Sequence, residues 1–554
     1  MPVSGFSGLQ KSHQRALSTG KGTRADPVVR MGVDLSLQGS VSAHPGLRHT
    51  FFFPPAPCIA MKWALLSVWD KTGVIDLARE LAVAHYSIMS SGGTGKALAE
   101  AGIRFTEVSS YTGFPEMMDG RVKTLHPKVH GGLLGRRTVD DVVMAKYGIN
   151  RIDLLVVNLY PFEAMQKKSL DLDKLIEFID VGGPAMIRAG AKNYKSVTVV
   201  VDPADYPAVT DAIRSKGFSE EDRLAYAKKA FARTAAYDAA ISNYLGRLDA
   251  PFPRIFTAQF ANGRSLRYGE NPHQQAAVYG SAGIAGTEPL QGKQMSYNNY
   301  LDLNAASGLL REFDEDAAVF VKHNNPCGVA TGATLREAYL SAREVDPVSA
   351  YGSVVAVNRN IDAALAKEIC STFVEVISAP SFDPDALALM HKKENMRVIV
   401  LPEPVVQDEI RSIDGGILVQ RTPPYQEHWQ VITDRDPTTE ELKALKLAWK
   451  VCKHTRSNTI IFTNGTRTLG IGAGQMSRVD SAKIAIQKAC APLAGSAVAS
   501  DAFLPFPDTL EVAADAGATA LVQPGGSIRD KEVIEAANKR NMAMIFTGVR
   551  YFRH

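Results

Sequence analysis

Ala317-Ala318-Val319-Phe320-Val321-Lys322-His323-Asn324-Asn325-Pro326-Cys327 reads as a buried strand that runs straight into polar chemistry. An unbroken apolar run of this length is the profile of a strand covered on both faces. Thr334 to Val345 follows with helical spacing, and a strand followed by a helix points to an α/β protein. At the junction an ammonium and an imidazole, Lys322 and His323, stand side by side where a strand ends, the place where open α/β sheets bind ligands. Adjacent strand residues face opposite ways, but both can turn toward one pocket as the strand breaks into a loop. A polar strand end with a hydrogen-bonded histidine is the plainer alternative.

Working outward, the same alternation runs from Met61 to about Val201. Ala64–Val68, Ser87–Met89, Leu154–Val157 and Val197–Val201 read as strands, and Val74–Ala84 has helical spacing. This predicts a parallel sheet with helices on both faces. Ser91-Gly92-Gly93-Thr94-Gly95-Lys96 is expected as a loop opening a helix at Ala97, where glycines and free N–H groups suit a phosphate. It is not a Walker A loop, because Ala97 follows Lys96 and Ser90 takes the place of the first glycine. Arg121 and Lys123 alternate in what reads as a short extended segment, so both can face one anion. Ile179-Asp180-Val181-Gly182-Gly183-Pro184 launches a helix on which Arg188 and Lys192 share a face.

Beyond an irregular stretch at Asp249–Phe260, Ser265–Gln274 and Lys293–Tyr300 pack donors and acceptors densely enough to read as binding loops. Thr459–Phe462 and Thr468–Ile471 flank a turn at Thr463-Asn464-Gly465, a hairpin signature. Gly472–Arg478 fails the dinucleotide fingerprint, since Ser477 takes the third glycine position. Ser500–Asp508 and Gln523–Ile528 combine rings, carboxylates and close backbone, a mixture suited to flat heterocycles. The two halves of this region each look like strand–helix–strand units, a hint of internal duplication.

A chain of 554 residues is too long for one core. No apolar run reaches the roughly 18 residues that span a bilayer. Five scattered cysteines without a Cys-x-x-Cys pair argue against a disulfide framework or structural zinc. The net charge of +4 sits in residues 1–60, which hold six Lys/Arg against two acids; the remainder has 56 of each. No basic stripe is left to track phosphates, so nucleic acid is set aside. Residues 1–60, with ten Ser/Thr and few acids, have the composition of an organelle transit peptide. Plastid stroma is the expectation, with mitochondrion or cytosol as alternatives.

Taken together, the motifs from Met61 to His554 resemble the bifunctional purine-biosynthesis family that joins aminoimidazole carboxamide ribonucleotide (AICAR) formyltransferase to inosine monophosphate (IMP) cyclohydrolase. The resemblance implies a methylglyoxal-synthase-like parallel-sheet domain at 61–258. Two cytidine-deaminase-like α/β/α subdomains would follow at 259–554, without the deaminase zinc. It implies a cyclohydrolase site of Asp70, Lys71, Ser91, Gly92, Gly93, Thr94, Arg121, Val122, Thr124, Asn158, Leu159 and Val181, with Lys192, Lys123, Tyr160 and Asp180 catalytic. Trp69 departs from the serine common beside the Asp-Lys pair. AICAR would be held by Arg267, Tyr268, His323, Gly352, Glu375, Asn458 and Arg478. The co-substrate 10-formyltetrahydrofolate would meet Val479, Phe503, Asp508, Ser527, Ile528 and Arg550.

The family is a homodimer with shared formyltransferase sites and needs no metal. By this resemblance the chain formylates AICAR to formyl-AICAR (FAICAR) and closes FAICAR to IMP, with His323 as base and Lys322 as partner. The alternatives are a non-catalytic purine-ribotide sensor, or a chain retaining only one activity.

Overall fold

In the computed structural model, which describes residues 61–118, 120–168, 170–421 and 426–554, the first apolar run becomes β1 (Lys62–Val68), with Ala64, Leu65 and Leu66 fully buried. The expected leader, residues 1–60, lies outside the described residues. By packing, the chain divides into two units. The first is the chain up to Asn158 with Lys192–Leu224; the second is Leu159–Ala191 with Ala225–His554.

In the first unit β2 (Tyr86–Ser90), β3 (Thr106–Glu107), β4 (Leu154–Asn158) and β5 (Thr198–Val200) join β1 in the order β3-β2-β1-β4-β5. Every neighbouring pair is parallel, as the strand–helix alternation predicts. The chain winds outward through β2 and β3, then crosses to the other side of β1 at β4. Strand order therefore reverses between β1 and β4, the switch point at which such sheets bind ligands. The helix after β2 runs Gly92–Glu100, so most of the expected Ser91–Lys96 loop is already helical. The cause is Thr94, whose hydroxyl accepts from the Val68 amide and donates to the Val68 carbonyl, both at 3.0 Å, pinning the first turn to the end of β1.

The second unit begins its strands with a small antiparallel pair, β6 (Arg264–Leu266) and β7 (Ala276–Val278). Next come β8 (Ala317–Lys322), β9 (Asn325–Thr331), β10 (Ser353–Val357), β11 (Val374–Ala379) and β12 (Arg397–Val400), in the order β12-β11-β10-β8-β9. The hairpin β13 (Glu409–Ile413) and β14 (Gly416–Gln420) stands apart. A six-stranded sheet follows, of β15 (Gln430–Val431), β16 (Ile460–Thr463), β17 (Thr468–Gly472), β18 (Ala497–Ser500), β19 (Ala520–Gln523) and β20 (Ala543–Phe546), in the order β15-β20-β19-β18-β16-β17.

These two sheets repeat one plan. Each contains an antiparallel hairpin, β8–β9 or β16–β17, and β15 is an addition to the edge of the second sheet. A strand antiparallel to the hairpin's first arm is added, and two more strands follow parallel to it. The correspondence reaches single residues. Phe320 pairs with Gly328 and Phe462 with Gly470, and a Cβ on either glycine would strike a helix carbonyl, that of Ala342 or Ala485. The duplication hinted at in the sequence is therefore present in the topology.

Alternation along β8 sets the layers. Ala317, Val319 and Val321 face a core shared by both sheets and by the helices Tyr297–Leu310 and Thr439–Lys453. Ala318 and Phe320 face a second core under the helices Leu335–Arg343 and Ala363–Cys370.

Candidate functional site

β8 does not run into a loop and then a helix, as its sequence suggests. It turns back at once: Lys322 pairs with Asn325, and the two residues between them, His323 (φ 54°) and Asn324 (φ 62°), both adopt the left-handed conformation of a type I′ hairpin turn. Because β8 is antiparallel to β10, Lys322 lies at the amino ends of β10–β12, not at the carboxyl ends where the general rule placed it. The expected pairing of ammonium and imidazole holds; the reason for their position does not.

The exposed His323 and half-buried Lys322 border a cavity of about 450 Å³, whose wall also includes Asn325, Asp346, Ser349 and Gln475. Lys322 Nζ donates to the Tyr351 carbonyl at 2.8 Å, just before Gly352, whose own amide donates to Phe373. Gly352 has φ +73° and so needs to be glycine. Asn458 reaches the same cavity indirectly, because its amide donates to the carbonyls of Gln475 (3.0 Å) and Met476 (3.1 Å). The adjoining Arg456 amide donates to Asn325 Oδ1 at 3.1 Å.

Glu375, on β11, accepts from Asn299 Nδ2 at 3.1 Å and pairs with Arg397 at 3.4 Å. Burial lowers the Arg397 pKa, Glu375 opposes that shift, and nearby Arg267 adds to it, which places Arg267 in the same group. The Arg267 guanidinium lies 5.5 Å from the centre of the Tyr268 ring. The two polar stretches read as binding loops touch one another through Gln294 Nε2 to the Ser265 carbonyl (3.0 Å). The second is only half loop, since Ser296 caps a helix beginning at Tyr297 through a capping box with Asn299. Sequence reading places Asn299 only within a binding loop and misses Asp302 and Arg397. The signal for the first two was that capping box, hidden in a stretch taken for a loop.

The remaining expected residues gather at the carboxyl ends of three parallel strands. Phe503 follows β18, Ser527 and the exposed Ile528 follow β19, and Arg550 follows β20. Arg478 and Val479 open the helix Arg478–Gln487, and the exposed Asp508 opens Asp508–Asp515. Arg478 and Arg550 both lie over the Phe552 ring, at 5.8 and 4.3 Å. Arg478 also stands 3.7 Å from Asp501, a fully buried carboxyl whose pKa burial raises. Phe552 lies outside every stretch the sequence marks for ligand contact, whereas Asp501 falls within Ser500–Asp508 but without a role of its own.

In the first unit the carboxyl edge collects most of the expected cyclohydrolase residues. Asn158 Oδ1 accepts from the Trp69 (2.6 Å) and Asp70 (2.9 Å) amides, so its side chain clamps the end of β1. Asp70 Oδ1 takes the Thr72 amide and hydroxyl, which closes the Asp-Lys-Thr turn. Lys71 Nζ donates to the carbonyls of Val68 and Trp69, and burial lowers its pKa.

Ser91 is the N-cap of Gly92–Glu100, yet its side chain caps nothing, which leaves helix N–H groups for an anion. Lys123 Nζ is only 3.1 Å from where a Gly92 Cβ would lie, and Lys71 Nζ 3.7 Å from that of Gly93. Two ammonium groups therefore flank this helix start beside the buried Thr94. The exposed Arg121 and half-buried Val122 are not extended as expected. Val122 bridges Met117 across a turn at Gly120 (φ +89°), and Thr124 is buried behind it. Lys192 is exposed, the last residue of the helix Gly182–Lys192. Its neighbour Asn193 donates to the Leu133 and Gly135 carbonyls, placing it toward the amino ends of β4 and β5.

Leu159, Tyr160, Asp180 and Val181 belong to the second unit. There Leu159 is buried and Val181 exposed. Asp180 Oδ1 accepts the Gly183 amide at 2.7 Å, and the Asp180 amide donates to the Tyr237 hydroxyl at 2.8 Å. A Cβ on Gly183 would fall 2.6 Å from the Asp180 carboxylate, so the tight Asp-Val-Gly-Gly start requires its glycine. Among the described residues no cluster of three His, Cys, Asp or Glu side chains could hold a metal. Among them, too, no helix is long and apolar enough to cross a membrane.

The sequence profile of the MGS-like domain matches residues 73–185, and that of the AICARFT/IMPCHase bienzyme matches residues 190–488. Relatives named bifunctional purine biosynthesis protein PurH are similar along most of the chain. That of Magnetococcus marinus is 49% identical over 529 residues, covering 89% of this chain and 99% of the relative. That of Persephonella marina is 50% identical over 511 residues, with the same coverage. That of Myxococcus xanthus is 49% identical over 514 residues, covering 89% of this chain and all of the relative. With two family profiles in the expected order and half the residues identical across whole relatives, the chain belongs to the AICARFT/IMPCHase bienzyme family.

Proposed function

We propose that the two reactions of this bifunctional purine-biosynthesis enzyme divide between the two carriers just described. Formyl transfer to AICAR is assigned to Lys322–His323, and cyclisation to IMP draws on the carboxyl edge of the first unit. The observation that carries the reading is the hairpin tip, where a base and a cation open together into a cavity of about 450 Å³.

The AICAR amine is a poor nucleophile because its lone pair is delocalised into the ring and carboxamide. As its nitrogen attacks the formyl carbon of 10-formyltetrahydrofolate, a base must take its proton. Imidazole suits that role near neutral pH. Lys322, held by the Tyr351 carbonyl, is placed to stabilise the developing oxyanion or to protonate the departing folate nitrogen. In ring closure the carboxamide nitrogen attacks the same carbon and water leaves. The helix start at Gly92 and the ammonium groups of Lys71 and Lys123 are proposed to hold the ribotide phosphate and balance its charge. The assignment of proton transfer to Lys192, Tyr160 and Asp180, and of folate contacts to Val479, Phe503, Asp508, Ser527, Ile528 and Arg550, rests on the family resemblance. So do the boundaries at 61–258 and 259–554 and the cytidine-deaminase-like character of the two repeats.

The test is direct. The full chain, given AICAR and 10-formyltetrahydrofolate, is expected to form IMP with FAICAR only transient. Ribotide binding without turnover would make it a sensor, and FAICAR accumulating unchanged would leave one activity.

A homodimer is also proposed. Its support, beyond the resemblance, is exposed apolar surface on and beside the β13–β14 hairpin: Val405, Val406, Ile413, Ile417 and Leu418. Sedimentation at a single monomeric mass would refute it. For residues 1–60 the proposal remains a plastid leader, on composition alone; a reporter fused to them and found in the cytosol would remove it.

A further inference from the structure

We infer that Asp302 is the positioning residue that holds His323 for proton transfer, an inference that rests on the reading of His323 as the base. Both residues of the β8–β9 turn have positive φ, and neither is glycine. Asparagine and histidine adopt that conformation more readily than most residues, but two in succession need support from their surroundings. The enforcing group is on another element. Asp302, on the second turn of the helix Tyr297–Leu310, accepts the Asn324 amide on Oδ1 at 2.6 Å, a short, charge-assisted bond. The same carboxylate is close enough to the His323 amide to be stabilised by it as well.

The helix that carries Asp302 cannot follow a moving turn. Its start is locked by the Ser296–Asn299 capping box, and its inner face, Leu303, Ala306 and Leu310, is buried in the shared core. The turn is therefore fixed from below by a rigid support, and the imidazole it carries is pre-aimed. Burial raises the Asp302 pKa, and the Asn324 and His323 amides oppose that shift by favouring the carboxylate that accepts from them. The other charged groups around it are Glu375 on β11, Arg397 on β12, and Lys322 at the end of β8. None of these is bonded to the turn's backbone in the way Asp302 is, so none can replace it as the support.

The experiment is a double-mutant cycle on the full chain. Asp302→Ala, Asp302→Asn and His323→Ala are made singly, and each Asp302 variant is combined with His323→Ala. Formyl-transfer kcat, KM for AICAR, and cyclisation of preformed FAICAR are measured for all. Asp302→Ala is expected to lower kcat roughly 10- to 100-fold with KM within about threefold, because misplacement of a reacting group by an ångström costs on this scale. Cyclisation should not change. Asp302→Asn, which keeps an acceptor oxygen in place, should recover most of the rate, and Asp302→Ala should add less than about twofold to His323→Ala. Asp302→Ser, too short to reach the turn, is read in the same way and guards against a folding defect in the alanine variant. A kcat within about twofold of the parent, a loss multiplied in full onto that of His323→Ala, or a parallel loss of cyclisation would each overturn the inference. If His323→Ala itself keeps full formyl transfer, the base assignment has failed, a result distinguishable from all of these.

Discussion

His323→Ala is expected to slow formyl transfer by roughly 10²- to 10⁴-fold, the usual contribution of a positioned acid or base, while cyclisation of supplied FAICAR keeps its rate. The separation follows from where the groups are. His323 sits at a hairpin tip in the second unit, whereas the ammonium groups at the Gly92 helix start belong to the first. The loss should fall on kcat, since the imidazole is wanted when the amine proton leaves and not when the ribotide binds. Lys322 is retained in this variant and still donates to the Tyr351 carbonyl, so the oxyanion contact and the cavity wall survive. Assaying formyl transfer and cyclisation separately decides the matter: equal loss of both would refute the division of labour.

The second large effect is expected at Lys123. Lys123→Met should lower kcat/KM for FAICAR cyclisation on the order of 100-fold, the scale of losing one charge-assisted hydrogen bond to the ribotide phosphate, and leave formyl transfer intact. Methionine keeps an unbranched side chain of nearly the same length and removes the ammonium. That charge lies within 3.1 Å of the Cβ positions of both Gly92 and Gly120 and is paired with Glu116 at 3.2 Å. It is therefore held against the open N–H groups of the helix start, where a phosphate gains from dipole and ammonium together. Lys71 contributes less on its own, because two of the three donors of its ammonium are already given to the Val68 and Trp69 carbonyls. Rate measurements at saturating FAICAR, with KM alongside, separate binding from turnover. A variant within threefold of the parent in both would remove Lys123 from the site.

Much of this architecture could be read without coordinates where it depends on neighbours in the chain. The apolar runs at Ala64–Val68, Leu154–Val157 and Ala317–Val321 became strands within a residue or two of expectation. Thr334 capped its helix, with its side chain accepting the Glu337 amide. Thr459–Ile471 folded as a hairpin. The sequence makes Ser91–Lys96 a loop before a helix at Ala97, because its glycines and free N–H groups suit a phosphate. The structure makes it a helix start, since Thr94 supplies a tertiary bond to β1 that composition does not show.

What the amino-acid order settled alone is the alternation of elements, the α/β class and the placing of Lys322 beside His323 at a strand end. These follow from burial and from backbone preferences acting over a few residues. Tertiary structure decided which way the chain goes next. The left-handed turn at His323–Asn324 is held by a carboxylate some twenty positions upstream, and Glu375 meets Asn299 and Arg397 only when a helix and two strands pack. The matched glycines Gly328 and Gly470 likewise gain their meaning from helix carbonyls pressed against them. Contacts between distant segments leave no periodic trace along a chain, and that is why folding had to reveal them.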